Sequence, residues 1–524
     1  MSTANRESPD TNKGIAKSAG VISIAILCSR ILGFLRDVVI ARLFGVYIYA
    51  QAFVIAFRIP NLFRDLVGEG AVNAAFVPVF SEYRVKHNKE EFWELANVVL
   101  NLLLVVLMSI TVLGIVFSPV IVRLIAPGFV SDPLKLAVTI KLNRIIFPYI
   151  LLISLSAYSM GILNSLKHFS VPAFAPCLLN ISIIICALLF GEGILGLASG
   201  ILIGGFLQLA VQIPVLYKKG FRLTLFQKFR HPAARTIAIL MIPRFFSSCV
   251  YQLNNFVDSI FGSLNFIVGE GAVAILYYAY RLIMFPLGIF STALSQAMLP
   301  TFSRQALEDG RGRLKDTLSF GLSATFFVLL PAQAGFLIMA KPIIAALFGG
   351  GKFDQYSVIL TSSALSFYSI GLVFYGTTRV LNACFFSLKD TKTPAIIAFV
   401  SLILNITFNS ILMFPLKSSG LALATSISGF ITCLLLFFIL KKKLHPFPLK
   451  DILLSFVRTL AASLSMAVVC FFVSAKVFPA GNFVFNKFLS ITAVILISAV
   501  SYAVFCFIFG VKEIYKLRNV LLRV

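Results

Sequence analysis

Charged side chains are scarce in this 524-residue sequence: they make up 12% of it, with 20 acidic residues and 4 histidines. Apolar residues make up 59% and the mean hydropathy is +0.96, whereas a soluble domain is about 45–50% apolar. This composition excludes a soluble enzyme, a disordered scaffold and a secreted disulfide-rich domain. At about 20 residues per crossing, it supplies roughly fourteen membrane helices. The predicted fold class is an all-α polytopic membrane protein.

Sequence motifs of enzyme chemistry are missing too. There is no Walker A loop, no HExxH and no pair of catalytic carboxylates. The eight cysteines lie in apolar runs without a CxxC pair, and the histidines lie in polar loops without metal-ligand spacing. Residues 1–17 are polar and precede an apolar run too long for a cleavable signal peptide. We therefore expect a transporter without a bound cofactor, driven by an ion gradient or the membrane potential.

Apolar runs bounded by Gly, Pro and charge clusters predict fourteen transmembrane helices. They lie at 17–43, 47–67, 94–117, 142–164, 171–191, 194–216, 234–262, 268–295, 317–341, 355–384, 393–414, 418–440, 452–475 and 485–510. Loops after even-numbered spans carry the Lys/Arg clusters, while those after odd-numbered spans nearly lack them, apart from 118–141. The positive-inside rule then predicts that both termini are cytoplasmic. It also accounts for much of the net charge of +25, so nucleic acid is not an expected partner.

Two short blocks recur at the same separation of 222 positions. AFVPVFS at 75–81 matches AMLPTFS at 297–303, and SLKHFSVPA at 165–173 matches SLKDTKTPA at 387–395. A repeat unit of six helices predicts two six-helix bundles in a parallel pseudo-twofold repeat, plus two extra C-terminal helices. The predicted regions are an N-terminal tail 1–16, a first bundle 17–217, a basic linker 218–233, a second bundle 234–441, helices 13 and 14 at 452–510 and a tail 511–524.

Several charges fall inside predicted spans. They are Arg30, Arg36, Asp37 and Arg42 in the first span, Arg58, Arg64, Asp65 and Glu69 in or just after the second, and Arg244 and Arg281 in the seventh and eighth. Each arginine at mid-membrane costs about 2.5–3.5 kcal/mol on insertion scales, so it needs an aqueous cavity or a partner.

The cavity interpretation is favoured for Arg36, Arg64 and Arg281, while snorkelling at a helix end explains Arg42 and Arg58 equally well. Arg30 and Arg36 lie about 120° apart around the helix, so we do not expect both to line a cleft equally. Asp37 and Glu69 are expected to pair with these arginines and position them. Because guanidinium groups bind phosphate oxygens in pairs, a cationic cavity favours a phosphate or pyrophosphate ligand.

A second polar set lies in the later spans. It comprises Asp258 in span 7, Asn405 and Asn409 in span 11, and Thr425 in span 12. Oxygen ligands on neighbouring helices are suited to Na⁺. Hydrogen bonds between helices would explain the same asparagines and threonine without any ion.

Three segments resemble the MurJ/MviN lipid II flippases of the multidrug/oligosaccharidyl-lipid/polysaccharide exporter superfamily. They are SRILGFLRDVVIARLFG, FRIPNLFRDLVGEGAVNAAFVPVFSEYR and YAYRLIMFPLGIFSTALSQAMLPTFSR. The resemblance covers most of the chain. It implies translocation of undecaprenyl-pyrophosphate-linked disaccharide-pentapeptide across the bacterial inner membrane for peptidoglycan synthesis, with helices 13 and 14 forming a groove for the lipid tail.

The resemblance also implies roles for individual residues. The family's cavity residues fall on Arg30, Arg36, Asp37, Arg64, Glu69 and Arg281, and the sodium site of some members falls on Asp258, Asn405, Asn409 and Thr425 with the Leu421 carbonyl. Two positions depart from the family pattern: Gln51 and Asn409 stand where the family usually or often has Asp. The first departure makes the cavity more cationic, and the second weakens the cation site by one charge.

The function predicted from the sequence is therefore a lipid II flippase that works by alternating access, coupled to Na⁺, to H⁺ or to the membrane potential. Its partners would be lipid II and membrane lipids, cell-wall synthesis proteins are candidate partners, and a monomer is expected. Three alternatives remain open at this point: a flippase for another polyprenyl-pyrophosphate sugar of the O-antigen type, a cation-coupled drug antiporter of the same superfamily, and a non-transporting scaffold for cell-wall enzymes.

Overall fold

A computed structural model describes residues 9–63, 76–191, 193–225, 231–308, 311–478 and 487–515. In 9–19, in 242–252 and at 255, it describes only the backbone. These parts of the chain are helical almost throughout and contain no β-strand; their only β-type pairing is one isolated bridge between Gly350 and Phe353. The predicted all-α class is confirmed.

The chain divides into two compact units, residues 1–252 and residues 253–524. The first unit contains α1 (Pro9–Phe44), α2 (Ile48–Phe63), α3 (Val77–Lys86), α4 (Lys89–Val116), α5 (Ser118–Ile125), α6 (Pro133–Ile146), α7 (Tyr149–Ser165), α8 (Ser170–Phe190), α9 (Ile194–Ala210) and α10 (Ile213–Lys219). The helix α11 (Pro232–Ser263) runs through the division.

The second unit continues with shorter and longer helices. They are α12 (Asn265–Val268), α13 (Ala272–Pro286), α14 (Thr292–Gln305), α15 (Gly312–Leu347), α16 (Gln355–Ile370), α17 (Leu372–Ser387), α18 (Lys392–Lys443), α19 (Leu449–Val477) and α20 (Lys487–Ile508). The division at 252 falls inside the predicted seventh span, and the predicted bundle boundaries stay predictions.

The helices make this a multi-pass membrane protein. Within the described ranges, nine helices are long and apolar enough to cross a membrane, or ten if the pair α16 and α17, bent by 44°, forms one span. The 52-residue α18 would be about 78 Å long, more than twice the hydrocarbon thickness. Its non-helical residue Lys417 (φ 52°, ψ −134°) separates two segments that match the predicted spans 11 and 12. The full count of fourteen stays a prediction.

The helical segment that carries the predicted fourth span begins earlier than expected. The fourth span was expected to begin at residue 142, but α6 already begins at Pro133. Asp132 caps this helix, since its Oδ1 accepts a hydrogen bond from the Lys135 backbone N–H at 3.0 Å, and Pro133 suits the first helical position. The basic residues of this segment suggested a loop, yet the Lys135 side chain is buried and its Nζ lies 5.5 Å from the centre of the Phe129 ring.

The two SLK loops of the sequence repeat have the same backbone geometry. Lys167 after α7 and Lys389 after α17 both have φ of 58°, which is rare for a residue with a side chain. In each loop the following N–H bonds back to the last helical turn, from His168 to the Leu163 carbonyl at 2.8 Å and from Asp390 to the Phe385 carbonyl at 3.0 Å. This is the Schellman type of helix end, which usually has glycine at the left-handed position.

We therefore expect Lys167→Gly and Lys389→Gly each to raise the free energy of unfolding, by about 0.5–1 kcal/mol, because glycine removes the Cβ strain of a left-handed residue. The measurement is the midpoint of thermal unfolding in detergent. Lys167→Ala and Lys389→Ala are the matched controls, because they shorten the side chain but keep the Cβ. Lower midpoints for both glycine variants than for the alanine controls would contradict the strain argument.

Helix α8 packs closely on α9 because α9 presents glycines to it. A Cβ at Gly200 would lie 2.7 Å from the Ile183 Cα, and one at Gly204 would lie 2.8 Å from the Leu179 Cα, so neither position has room for a side chain. Small residues allow such backbone approach between membrane helices. The contact fixes α8, which also packs on α1 and carries one of the residues described next.

Candidate functional site

The centre of the first unit contains a buried ion pair on α1. Arg36 is 4% exposed and Asp37 is fully buried. The Arg36 Nη2 donates to the Asp37 Oδ1 at 2.7 Å and Nε donates to the same oxygen at 3.0 Å. A buried charge is tolerated only when it is paired and hydrogen-bonded. The prediction that Asp37 pairs with an arginine of the first span is confirmed.

A third residue holds this pair. The Arg36 Nη1 donates to the Asn180 Oδ1 of α8 at 3.1 Å, and the Asn180 Nδ2 donates to the Ser29 carbonyl of α1 at 3.2 Å. The guanidinium also lies 6.0 Å from the centre of the Phe57 ring of α2. Asn180 was not among the predicted site residues, although a polar amide inside an otherwise apolar span was a usable signal.

This geometry defines what Arg36 can do. Its guanidinium shares charge-assisted hydrogen bonds with Asp37 and Asn180, and the pair of Arg36 and Asp37 carries no net charge. An incoming phosphate would therefore have to share the guanidinium with these groups or displace them. In this conformation, contacts with residues of α1, α2 and α8 fix the orientation of the Arg36 side chain.

The other predicted residues of the first unit differ in their surroundings. Arg30 is exposed on α1, as its angular separation from Arg36 predicts. Gln51 on α2 is fully buried, and neither atom of its amide has a hydrogen-bond partner among the described residues. Burying an amide without a hydrogen-bond partner costs free energy, so such a group usually has a functional role or binds a water molecule or an ion. Arg64 and Glu69, like Asp65, lie outside the described residues.

The second unit contributes Arg281, which is half-buried on α13. This helix continues through a π-helical turn, Leu287–Ser291, into α14. Arg379 of α17 donates to the hydroxyl of Thr292 just after this turn, and the Thr292 hydroxyl donates to the Leu287 carbonyl at 3.1 Å. Such turns often mark functional sites. Arg379 was missed in the sequence, although it is an arginine inside a predicted span. Arg244 lies where only the backbone is described.

The four residues of the predicted cation site lie together. The Asn409 Nδ2 donates to the Asp258 Oδ1 at 3.3 Å and to the Asn405 Oδ1 at 3.0 Å. The Asn405 Nδ2 donates to the Thr425 hydroxyl at 3.2 Å, and this hydroxyl donates to the Leu421 carbonyl at 3.1 Å. One connected chain of hydrogen bonds thus links α11 with both segments of α18.

The donor set of this cluster fits a hard cation. It offers a carboxylate, two amide oxygens, a hydroxyl and a backbone carbonyl, and the buried Asn409 Oδ1 has no partner among the described residues. Amide oxygen and nitrogen can exchange places by rotation, which would turn the Asn409 oxygen toward Asp258 and its neighbours. The same hydrogen bonds would also join the helices without any ion. The cluster is therefore compatible with a cation site and with hydrogen bonding between helices alone.

The comparisons with known proteins agree with one another. The family model described as lipid II flippase MurJ matches residues 40–494. The probable lipid II flippase MurJ of Buchnera aphidicola subsp. Schizaphis graminum is 35% identical over 507 residues, covering 95% of this chain and 97% of that protein. The lipid II flippase MurJ of Burkholderia cenocepacia is 34% identical over 449 residues, covering 84% of this chain and 86% of that protein.

Solved structures of related transporters also match this chain. A lipid II flippase MurJ in an inward closed conformation is 32% identical with a TM-score of 0.79, covering 94% of this chain and 99% of that chain. An inward-facing multidrug resistance MATE family transporter of the MOP superfamily is 17% identical with a TM-score of 0.66, covering 79% of this chain and 94% of that chain, and shares the fold. The chain belongs to the lipid II flippase MurJ family.

Proposed function

We propose that this protein translocates lipid II, the undecaprenyl-pyrophosphate-linked peptidoglycan precursor, from the cytoplasmic to the periplasmic leaflet of the bacterial inner membrane. The observation that carries the proposal is the family match over residues 40–494, which runs through most of both units. The protein is a transporter rather than an enzyme. Buried and half-buried arginines inside membrane helices support an anionic substrate, because guanidinium groups bind phosphate oxygens in pairs.

Arg36, Arg64 and Arg281 each contact the pyrophosphate during the transport cycle in this proposal. A guanidinium presents parallel N–H groups that match two phosphate oxygens, which an ammonium cannot do. Asp37 and Asn180 hold the Arg36 guanidinium in one orientation, so that less conformational entropy is lost when the substrate binds. Arg30, Glu69 and Gln51 are proposed as further residues on the substrate path.

Transport would proceed by alternating access, with fourteen helices, both termini cytoplasmic and the protein acting as a monomer. The matching geometry of the two SLK loops supports the proposed six-helix repeat. Helices α19 and α20 would receive the polyprenyl tail, which is consistent with exposed apolar side chains such as Phe471 and Val500. Moving one charge across 100 mV supplies about 2.3 kcal/mol, enough to bias the return of the empty carrier.

Sodium coupling is the proposed role of the cluster around Asp258. We expect Asn409→Asp to bind sodium about tenfold more tightly, because it adds a second carboxylate within hydrogen-bond distance of the cluster. The measurement is the rise in the midpoint of thermal unfolding that NaCl causes beyond the rise that choline chloride causes. Thr425→Val is expected to abolish this sodium-specific rise. Equal responses to both salts in wild type and Asn409→Asp would contradict the sodium proposal.

Acute depletion of the protein in cells tests the proposed substrate against its rivals. Lysis with accumulation of lipid II is the expected result, since peptidoglycan synthesis would stop. Loss of a surface glycan without lysis would point instead to a flippase for another polyprenyl-linked sugar. Full rescue by variants of the membrane arginines would favour a scaffold that holds cell-wall synthesis proteins.

A further inference from the structure

The helix pair α16 and α17 is broken near the middle of the predicted tenth span. The two helices meet at Gly371 and are bent by 44°. In a continuous α-helix every N–H donates to the carbonyl four residues earlier, so a break leaves backbone groups that need other partners. In the hydrocarbon region of a membrane, where water is absent, neighbouring helices have to supply these partners. The side chains that do so decide whether the break persists.

One of these partners is a serine of α18. The Gly371 N–H donates to the Tyr368 carbonyl at 3.1 Å, whereas in a continuous helix it would donate to the Phe367 carbonyl. The Phe367 carbonyl instead accepts a hydrogen bond from the buried Ser426 hydroxyl at 2.7 Å. Ser426 thus binds the last turn of α16 at the point where this helix stops.

The other partner is a glutamine of α15. The Val373 N–H, which would donate to the Ser369 carbonyl in a continuous helix, donates to the Gln333 Oε1 at 3.4 Å. Straightening of the pair would return both backbone groups to the helix and release Ser426 and Gln333. The bent and straight forms therefore exchange one set of hydrogen bonds for another, and hinges between helices absorb such local changes in the backbone.

A tyrosine joins the break to α18. An added Cβ would lie 2.5 Å from the Tyr375 ring at Gly371 and 2.3 Å from it at Gly429 of α18, so the ring packs directly on both glycines. The Tyr375 hydroxyl lies 3.2 Å from the Ser426 Oγ. Tyr375 is the donor in this hydrogen bond, because the Ser426 hydrogen is donated to Phe367.

Ser426 directly follows Thr425, a member of the cation cluster. The Thr425 hydroxyl donates to the Leu421 carbonyl at 3.1 Å, and both oxygens belong to the proposed sodium site. Ser426 is part of the same segment of α18. An ion that binds these two oxygens would fix this turn of the helix and therefore the position of the Ser426 hydroxyl.

The break also contacts the helix that carries Arg281. Tyr368 lies in the last turn of α16, and the centre of its ring lies 5.3 Å from the centre of the Tyr280 ring on α13. Tyr280 directly precedes Arg281. A change in the bend would therefore act on the turn of α13 that carries the arginine proposed to bind pyrophosphate.

We propose that the break at Gly371 is a hinge, and that sodium bound at the Asp258 cluster holds it in the bent form through Ser426. The inference rests on the sodium coupling proposed above and adds the element that responds to the ion. Coupling between two sites requires an element with two arrangements whose balance both sites can shift. The exchange of hydrogen bonds at Ser426 and Gln333 provides these two arrangements.

The test is the distance across the hinge, measured by pulsed electron paramagnetic resonance on the purified full-length protein. Spin labels are attached to p-acetylphenylalanine introduced in place of Ile359 of α16 and Phe386 of α17, which are both exposed. At about 1.5 Å per residue, straightening the 44° bend lengthens the distance between these positions from about 38 Å to about 41 Å. We expect the shorter distance in NaCl and the longer distance in choline chloride.

Substitutions at the two partners identify the link. Ser426→Ala should give the longer distance in both salts and keep the sodium-specific rise in the unfolding midpoint, because its hydroxyl is not part of the cluster. Gln333→Leu should also give the longer distance, since it removes the acceptor of the Val373 N–H. Ser428→Ala is the matched control and should behave as wild type, because this buried serine of α18 donates within its own helix, to the Ala424 carbonyl at 2.8 Å.

The outcomes separate this inference from the sodium site itself. If NaCl raises the unfolding midpoint of wild type but the distance is the same in both salts, the hinge is wrong and the sodium site stands. If neither measurement responds to sodium, both proposals are wrong. A sodium-dependent distance that persists in Ser426→Ala, or is lost equally in Ser428→Ala, would exclude Ser426 as the link.

Discussion

Replacing Arg281 by alanine is expected to abolish growth complementation while the protein still inserts into the membrane. Arg281 is half-buried within the predicted eighth span, where its guanidinium would supply a pair of parallel hydrogen bonds to the pyrophosphate. The loss of one charged partner from a desolvated contact costs at least about 2 kcal/mol, so the rate of lipid II translocation should fall at least 30-fold. The measurements are complementation of a depleted strain and the translocation rate in vesicles.

Two variants make this result specific. Arg281→Lys keeps the charge but not the paired N–H groups, and it should restore only part of the activity. Arg304→Ala removes an exposed arginine from the last turn of α14, and it should leave transport near the wild-type rate. Normal growth with Arg281→Ala at wild-type protein levels would exclude the proposed role of Arg281.

Arg36→Ala is expected to damage both stability and transport, and a second substitution separates the two effects. The single variant deprives the buried Asp37 carboxylate of its arginine, which should lower the free energy of unfolding by about 3–5 kcal/mol. Arg36→Ala/Asp37→Asn replaces the carboxylate by a neutral amide and should recover most of that loss. Transport should remain absent in both, because neither variant retains the guanidinium.

The measurements for this pair are thermal unfolding in detergent and lipid II translocation in vesicles. Asp37→Asn alone serves as the control for changes at the carboxylate. If Arg36→Ala/Asp37→Asn is stable and transports at the wild-type rate, Arg36 has only a structural role and the substrate contact assigned to it is wrong.

Local features of the chain could be predicted from the sequence because they depend on neighbours along one helix. The apolar runs predict helices such as α8, α19 and α20 to within a few residues. The pairing of Asp37 with an arginine was expected because an unpaired charge inside a span is costly. Asn405 and Asn409 lie one turn apart, so their shared face was predictable. The grouping of Asp258 and Thr425 with them was a hypothesis drawn from their residue types, although spacing alone favoured hydrogen bonding between helices. The resemblance to a family then implied the same residues.

Contacts between distant helices could not be predicted in this way. Asn180 lies 144 positions from Arg36, and Arg379 lies 87 positions from Thr292, so no local pattern connects either pair. The early start of α6 was missed for another reason: its basic residues are typical of loops, and burial of Lys135 against Phe129 is a tertiary effect. The lack of a hydrogen-bond partner for the Gln51 amide within the described part of the chain likewise becomes apparent only when its surroundings are known.

The most direct test of the account is the distribution of lipid II between the two leaflets after acute depletion of this protein. Lipid II should collect in the cytoplasmic leaflet within one generation, and expression of the wild-type chain should return it to the periplasmic leaflet. Arg281→Ala expressed at the same level should not. Continued arrival of lipid II in the periplasmic leaflet without the protein, or full rescue by Arg281→Ala, would contradict transport of the pyrophosphate by arginines within the membrane.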